Sequence, residues 1–110
     1  MAVLRESLPA GLLEDVKAFL GITWSDEATD KNIGGLIASG VIYLDGKYGS
    51  PADYTKDGMP RTLLFEYVRY GRDYALDVFE NNFQALILGM QNDKKVQDYK
   101  AVNGYVEGSE

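Results

Sequence analysis

The sequence predicts an all-α fold: a small helical bundle of about four helices followed by a C-terminal extended or loosely helical arm. Three observations carry this. Apolar residues recur three and four apart through most of residues 1–93, no segment shows the period-two alternation of a half-buried strand, and clusters of Gly, Pro, Asp and Ser punctuate the periodic stretches. The expected organisation is one helical domain over 1–93 and an arm over 94–110.

The first segment spans residues 9–20. Leu12, Leu13, Val16, Phe19 and Leu20 make one apolar face, Pro9 suits a first helical turn, and Gly21 is placed to end the helix. The second runs from Asp26 to between Tyr43 and Lys47, with Ser25 as the expected N-cap and Asp26, Glu27 and Asp30 at the positive end of the helix dipole. Ile33, Leu36, Ile37, Val41 and Leu44 form its buried face. Gly34, Gly35 and Gly40 each cost about 1 kcal/mol relative to alanine in a helix interior. They mark either close approach of another backbone, as in subunit packing, or a poorly optimised helix.

Residues 46–60, GKYGSPADYTKDGMP, read as a long loop, and loops of this kind are more often contact surfaces than plain connectors. Asp45, Asp53 and Asp57 do not make a calcium loop, because Lys47 and Gly49 stand where ligands are needed. A third helix starts at Pro60 and runs to Glu80 on Leu63, Leu64, Tyr67, Val68, Gly71, Tyr74, Ala75 and Val78. Its centre, LFEYVRYGRDYAL, interleaves tyrosines with Arg69 and Arg72. A nucleic-acid stacking surface would look like this, but Arg69 has Glu66 and Asp73 at helical spacing and Arg72 has Asp73 beside it. The pattern fits core plus subunit contact better than phosphate binding.

Asn81-Asn82 is either a break before a fourth helix, Phe83–Gln91, or part of one long bent helix. Beyond it Val96, Tyr99, Val102 and Tyr105 recur every third residue in a polar tail. Spaced apolar anchors suit an arm that docks on a partner; a short terminal helix folded back on the domain is the alternative.

Composition narrows the function. Cysteine and histidine are both absent, which excludes disulfides, thiol nucleophiles, Cys/His metal sites and histidine bases. No phosphate-binding glycine loop is present, and the paired carboxylates stand at helix starts, so no catalytic residues, cofactor or metal are expected. The net charge of −6 opposes tight binding to a polyanion. No apolar run reaches membrane length, and Glu6, Glu14, Asp15 and Lys17 interrupt any signal-peptide core, so a protein made in the cytoplasm, with no membrane partner, is expected.

The order of segments then becomes informative. LLEDVKAFLGI leads through WSDEATDKNI into IGGLIASGVIYLDGKYG, and a proline-started PRTLLFEYVRYGRDYALDVFENNFQALILGMQND closes the domain. Over residues 10–93 this resembles the head–tail connector (adaptor) proteins of tailed bacteriophages and prophages. The resemblance implies a non-enzymatic virion protein of the neck. It would form a homo-oligomeric ring, a dodecamer, beneath the portal protein. The ring would extend a channel through which double-stranded DNA passes without specific binding, and carry the next head-closure or tail-completion protein. Family members direct C-terminal segments toward the portal, which makes Val96, Tyr99, Val102 and Tyr105 the expected portal anchors; this segment varies in the family and is not matched residue by residue. Gly34, Gly35, Gly40, Arg69 and Arg72 are the expected subunit-packing positions. A small cytoplasmic protein-interaction module, acting as a regulator, is the alternative reading of the same helices.

Overall fold

The computed structural model describes residues 8–102, and those residues are all helix, turn and loop, with no strand. Five helices appear in order: α1 (Leu12–Leu20), α2 (Glu27–Tyr48), α3 (Met59–Arg72), α4 (Leu76–Asn82) and α5 (Gln84–Val102). The all-α expectation holds, with one helix more than the periodicity predicts.

Each helix end has a local cause. Pro9 lies in the turn ahead of α1 rather than in its first turn, and Gly11 takes the N-cap with a left-handed backbone. Gly21 ends α1 at φ 78°, with the Ile22 amide donating back to the Lys17 carbonyl. At the start of α2 the cap is Asp26, not Ser25. Its Oδ2 accepts from the Thr29 amide at 3.0 Å and from the Thr29 hydroxyl at 2.9 Å. Those bonds hold the Asp26 carboxyl below its usual range. Gly49 closes α2, and Pro60 stands in the first turn of α3 as expected.

The central helix is α2, against which α1, α3 and α5 pack, with the most extensive contact between α2 and α3. Ile33, Ile37 and Leu44 of α2 meet Leu63, Leu64 and Val68 of α3 in the core, joined by Leu12 and Val16 from α1 and Ile87 and Met90 from α5. Polar ties fix the layers at their edges. Lys17 Nζ lies 2.7 Å from Asp30 Oδ1, an ion pair not aligned as a hydrogen bond. Arg61 reaches Asp15 and the Tyr54 carbonyl while lying over the Phe65 ring. Gln91 donates to the Lys47 carbonyl near the end of α2.

The third helix departs most from expectation. It stops at Arg72 instead of running to Glu80, and the chain turns through Asp73, Tyr74 and Ala75. The turn lets Phe79 enter a cluster with Tyr43, Tyr67, Tyr70 and Phe83, at ring-centroid distances of 5.0–6.1 Å. Phe79 is 1% exposed. Burial of such a ring stabilises by roughly 1.5–3 kcal/mol, and edge-to-face partners add to it. The expected break at Asn81-Asn82 is displaced by one residue to Phe83. There it is slight, because Phe83 still donates to Phe79 and accepts from Ile87 as in a helix.

The loop 49–58 is held from below by one carboxylate. Asp45 Oδ1 accepts from the Ala52 amide at 3.0 Å and the Tyr54 hydroxyl at 2.6 Å, and Tyr54 is buried. Burial first, and then this bond to Asp45, push the Tyr54 hydroxyl pKa well above its usual value.

Two predictions follow from packing and charge. A methyl at Gly40 would stand 2.7 Å from Leu64 Cδ1 and 2.8 Å from Tyr67 Cδ1, whereas one at Gly35 meets nothing within 4 Å. Urea unfolding should show Gly40→Ala destabilised by about 1–2 kcal/mol and Gly35→Ala stabilised by up to about 1 kcal/mol. Glu80 accepts from the Tyr43 hydroxyl and pairs with Lys47, and these hold its carboxyl below the ordinary value of 4.5. A depressed folded pKa contributes stability above the unfolded value, lost as pH falls through the folded one. Glu80→Gln should therefore be less stable than the parent at neutral pH, with the gap closing in unfolding curves taken in acid.

Candidate functional site

The tyrosine–arginine stretch separates by depth. Tyr67 is core, with its hydroxyl 2.9 Å from Ser39 Oγ. Tyr70 is half-buried, accepts from Asn82 Nδ2 and presents edges to Phe79 and Phe83. The expectation that Tyr74 belongs to the apolar stripe is corrected: it is 95% exposed, because the helix ends before its position can face the core. Arg69 is paired with Glu66 at 2.6 Å and lies over the Tyr70 ring. The bond to Glu66 raises the guanidinium pKa and spends its charge locally. Arg72 is exposed at the end of α3. None of these side chains forms a stacked basic stripe.

The turn after α3 has a specific geometry. The Ala75 amide donates to the Tyr70 carbonyl at 2.8 Å and the Tyr74 amide to the Gly71 carbonyl at 3.1 Å. This is the paired helix-end bonding that places a left-handed residue just past the helix, normally glycine. Here that residue is Tyr74 at φ 58°, the one positive-φ residue other than glycine among the described residues. A left-handed backbone costs a side-chain-bearing residue about 1–2 kcal/mol. α1 ends in the same pattern with Gly21. The difference marks the 72–76 corner: an aromatic occupies a strained position and sends its ring into solvent.

Close to this corner Leu76 and Val78 are also partly exposed, so an apolar edge continues into α4. A methyl built on Gly71 would stand 2.7 Å from Leu36 Cδ2 and 3.5 Å from Leu76 Cδ1, so the absent side chain lets Leu36 close under the turn.

The expected subunit-packing glycines separate as well. Gly40 is filled by Leu64 and Tyr67 of the same chain, and Gly34 is buried, while Gly35 is exposed on the outer side of α2. At Gly40 the close approach is therefore between side chains of one protomer rather than from another backbone.

The segment expected as an arm is regular helix from residue 94 to Val102, continuous with the rest of α5. Lys94 bonds Asp98 one turn on and lies over the Tyr48 ring, so α5 carries on without a break. Val96 is 52% and Tyr99 64% exposed. The radius of gyration, 15.7 Å, exceeds the roughly 13 Å of a compact chain this long, and the longest dimension is 55 Å. Val102 is the last residue of α5, and Tyr105 lies outside the described residues.

Carboxylates do not gather into a chemical centre. Asp45 and Asp53 are engaged by donors of their own loop, and no group of three or more metal-ligating side chains occurs among the described residues. No helix among them is long and apolar enough to cross a membrane. Compared with known proteins, the chain matches no family model, no curated protein and no solved structure.

The strain at Tyr74 has a measurable consequence. Tyr74→Gly should raise stability by about 1 kcal/mol, while Tyr74→Ala, which keeps a Cβ in the left-handed region, should change it little. Thermal unfolding of the two variants beside the parent reads the difference.

Proposed function

We propose that the chain is a structural connector of a tailed-phage neck, a protomer that assembles into a ring on the portal and carries the next neck or tail protein. One observation carries the reading: large apolar side chains stand exposed at two separate places, the corner at Tyr74–Val78 and the outer part of α5 at Val96 and Tyr99. Two such places suit a subunit that meets a neighbour in the ring and the portal beneath it. The order of helices in the sequence supports the same reading, and an acidic chain whose cations sit beside carboxylates suits a channel that DNA must slide through. A regulatory module with one partner is the second reading; the exposed part of α5 alone would serve it.

The test uses the portal protein encoded in the same genome. Sedimentation should show the chain monomeric at micromolar concentration, and imaging should show rings once the portal is added, since many modest contacts become stable on a template. Truncation after Asp93 should keep the fold, because Ile87, Met90 and Gln91 remain. It should lower the melting temperature by no more than about 5 °C for the lost Lys94–Tyr48 contact, yet abolish portal binding. No binding of the intact chain to the portal would overturn the connector reading.

A further inference from the structure

We infer that Tyr74 of one copy docks into the hollow between Phe19, Arg61 and Phe65 of a second copy, giving a head-to-tail contact between protomers. This rests on the ring-forming role proposed above and names the residues that would make the contact.

The knob is unusual on two independent counts. Tyr74 sits in a left-handed backbone that glycine would occupy without cost, and its side chain is 95% exposed. Nothing within the protomer compensates for that strain through the ring itself. Strain of this sort at an exposed aromatic is retained where the side chain has a use outside its own fold.

The hollow lies at the other end of the same helix. It measures about 320 Å³ and is lined by Phe19, Arg61, Thr62, Phe65, Asp57 and Glu66. For scale, a cavity of about 150 Å³ holds a benzene ring. Phe19 and Phe65 meet edge to face at 5.4 Å, and the Arg61 guanidinium lies 4.5 Å from the Phe65 centroid, so the walls are aromatic. Phe19 is itself half-exposed. At the rim, the carboxylates of Asp57 and Glu66 suit a tyrosine hydroxyl that donates. Charge of both signs stands on each side: Arg72, Asp73 and Asp77 around the knob, and Asp57 and Glu66 with Lys56 and Arg61 around the hollow. A docked register can therefore pair unlike charges.

Placement decides the symmetry. Thr62 and Tyr74 are twelve positions apart along α3 and its terminal turn, about 18 Å at helical rise. Two different surfaces at opposite ends of one element make a heterologous contact, the kind that propagates and closes into rings. The second copy is the occupant the page favours, because both complementary halves belong to one chain. Area sets the strength. A buried tyrosine contributes about 200 Å², far short of the roughly 1,200 Å² of a stable interface. The contact thus fails to hold dimers in dilute solution and takes effect where copies are held side by side.

The chain contains no cysteine, so engineered thiols report the contact directly. The full-length double variant Tyr74→Cys/Thr62→Cys, concentrated to the millimolar range and treated with a short bismaleimide, should give a ladder of dimers, trimers and longer species. Tyr74→Cys/Gly35→Cys, whose second thiol lies on the outer face of α2, should give only the background of the single variants. Equal ladders from both pairs, or none from either, would overturn the contact. Failure here is distinct from failure of the connector reading. Rings of Tyr74→Ser on the portal would leave the connector standing and remove the knob. A specific ladder from a chain that never binds the portal would do the reverse.

Discussion

Burial of Phe79 is the constraint on which the rest of this fold depends. Its ring lies among Tyr43, Tyr67, Tyr70 and Phe83, and it reaches them only because the chain turns at residues 73–75. Had α3 continued straight, the stretch from Leu76 onward would run past the end of the bundle. The turn forces a left-handed tyrosine at a cost of about 1–2 kcal/mol, and ring burial together with several aromatic contacts outweighs it. Once α4 is placed, Phe83 bends the chain slightly and α5 returns along α2, where Ile87 and Met90 enter the core and Gln91 bonds the Lys47 carbonyl. One ring thus sets the direction of the last third of the described chain.

Much of this was legible in the amino-acid order. The apolar faces of α1 and α2, the glycine ending α1, the proline opening α3 and the loop between α2 and α3 follow from periodicity and local chain chemistry. The corner did not. Tyr74, Ala75 and Val78 continue the stripe of α3 in register, and no proline interrupts it, so local pattern argues for an unbroken helix. The break is a tertiary effect, decided by where Phe79 can be buried, and single-chain periodicity carries no term for that. The cap of α2 was misplaced by one residue because Ser25 and Asp26 are both good caps; the Thr29 amide and hydroxyl together select the carboxylate.

The proposed contact residues divide by the same logic. Spacing marked Val96 and Tyr99 as a shared edge, and they do stand exposed one turn apart on α5. Spacing also marked Gly40 for subunit packing, where the space is in fact needed by Leu64 and Tyr67 of the same chain. A glycine in a helix signals close approach without saying whose atoms approach. Tyr74 was assigned to the interior and turned out to be the most exposed aromatic on the surface. Its prominence comes from geometry alone.

The central claim is that the surface this fold leaves apolar and strained is the surface on which it assembles. Amide hydrogen exchange of the intact chain, alone and on its portal, tests that most directly. The account predicts slowed exchange at residues 72–76 and in the outer turns of α5 upon assembly, with the buried amides of α2 unchanged. Protection confined to other regions, or none at either place despite a bound portal, would contradict it.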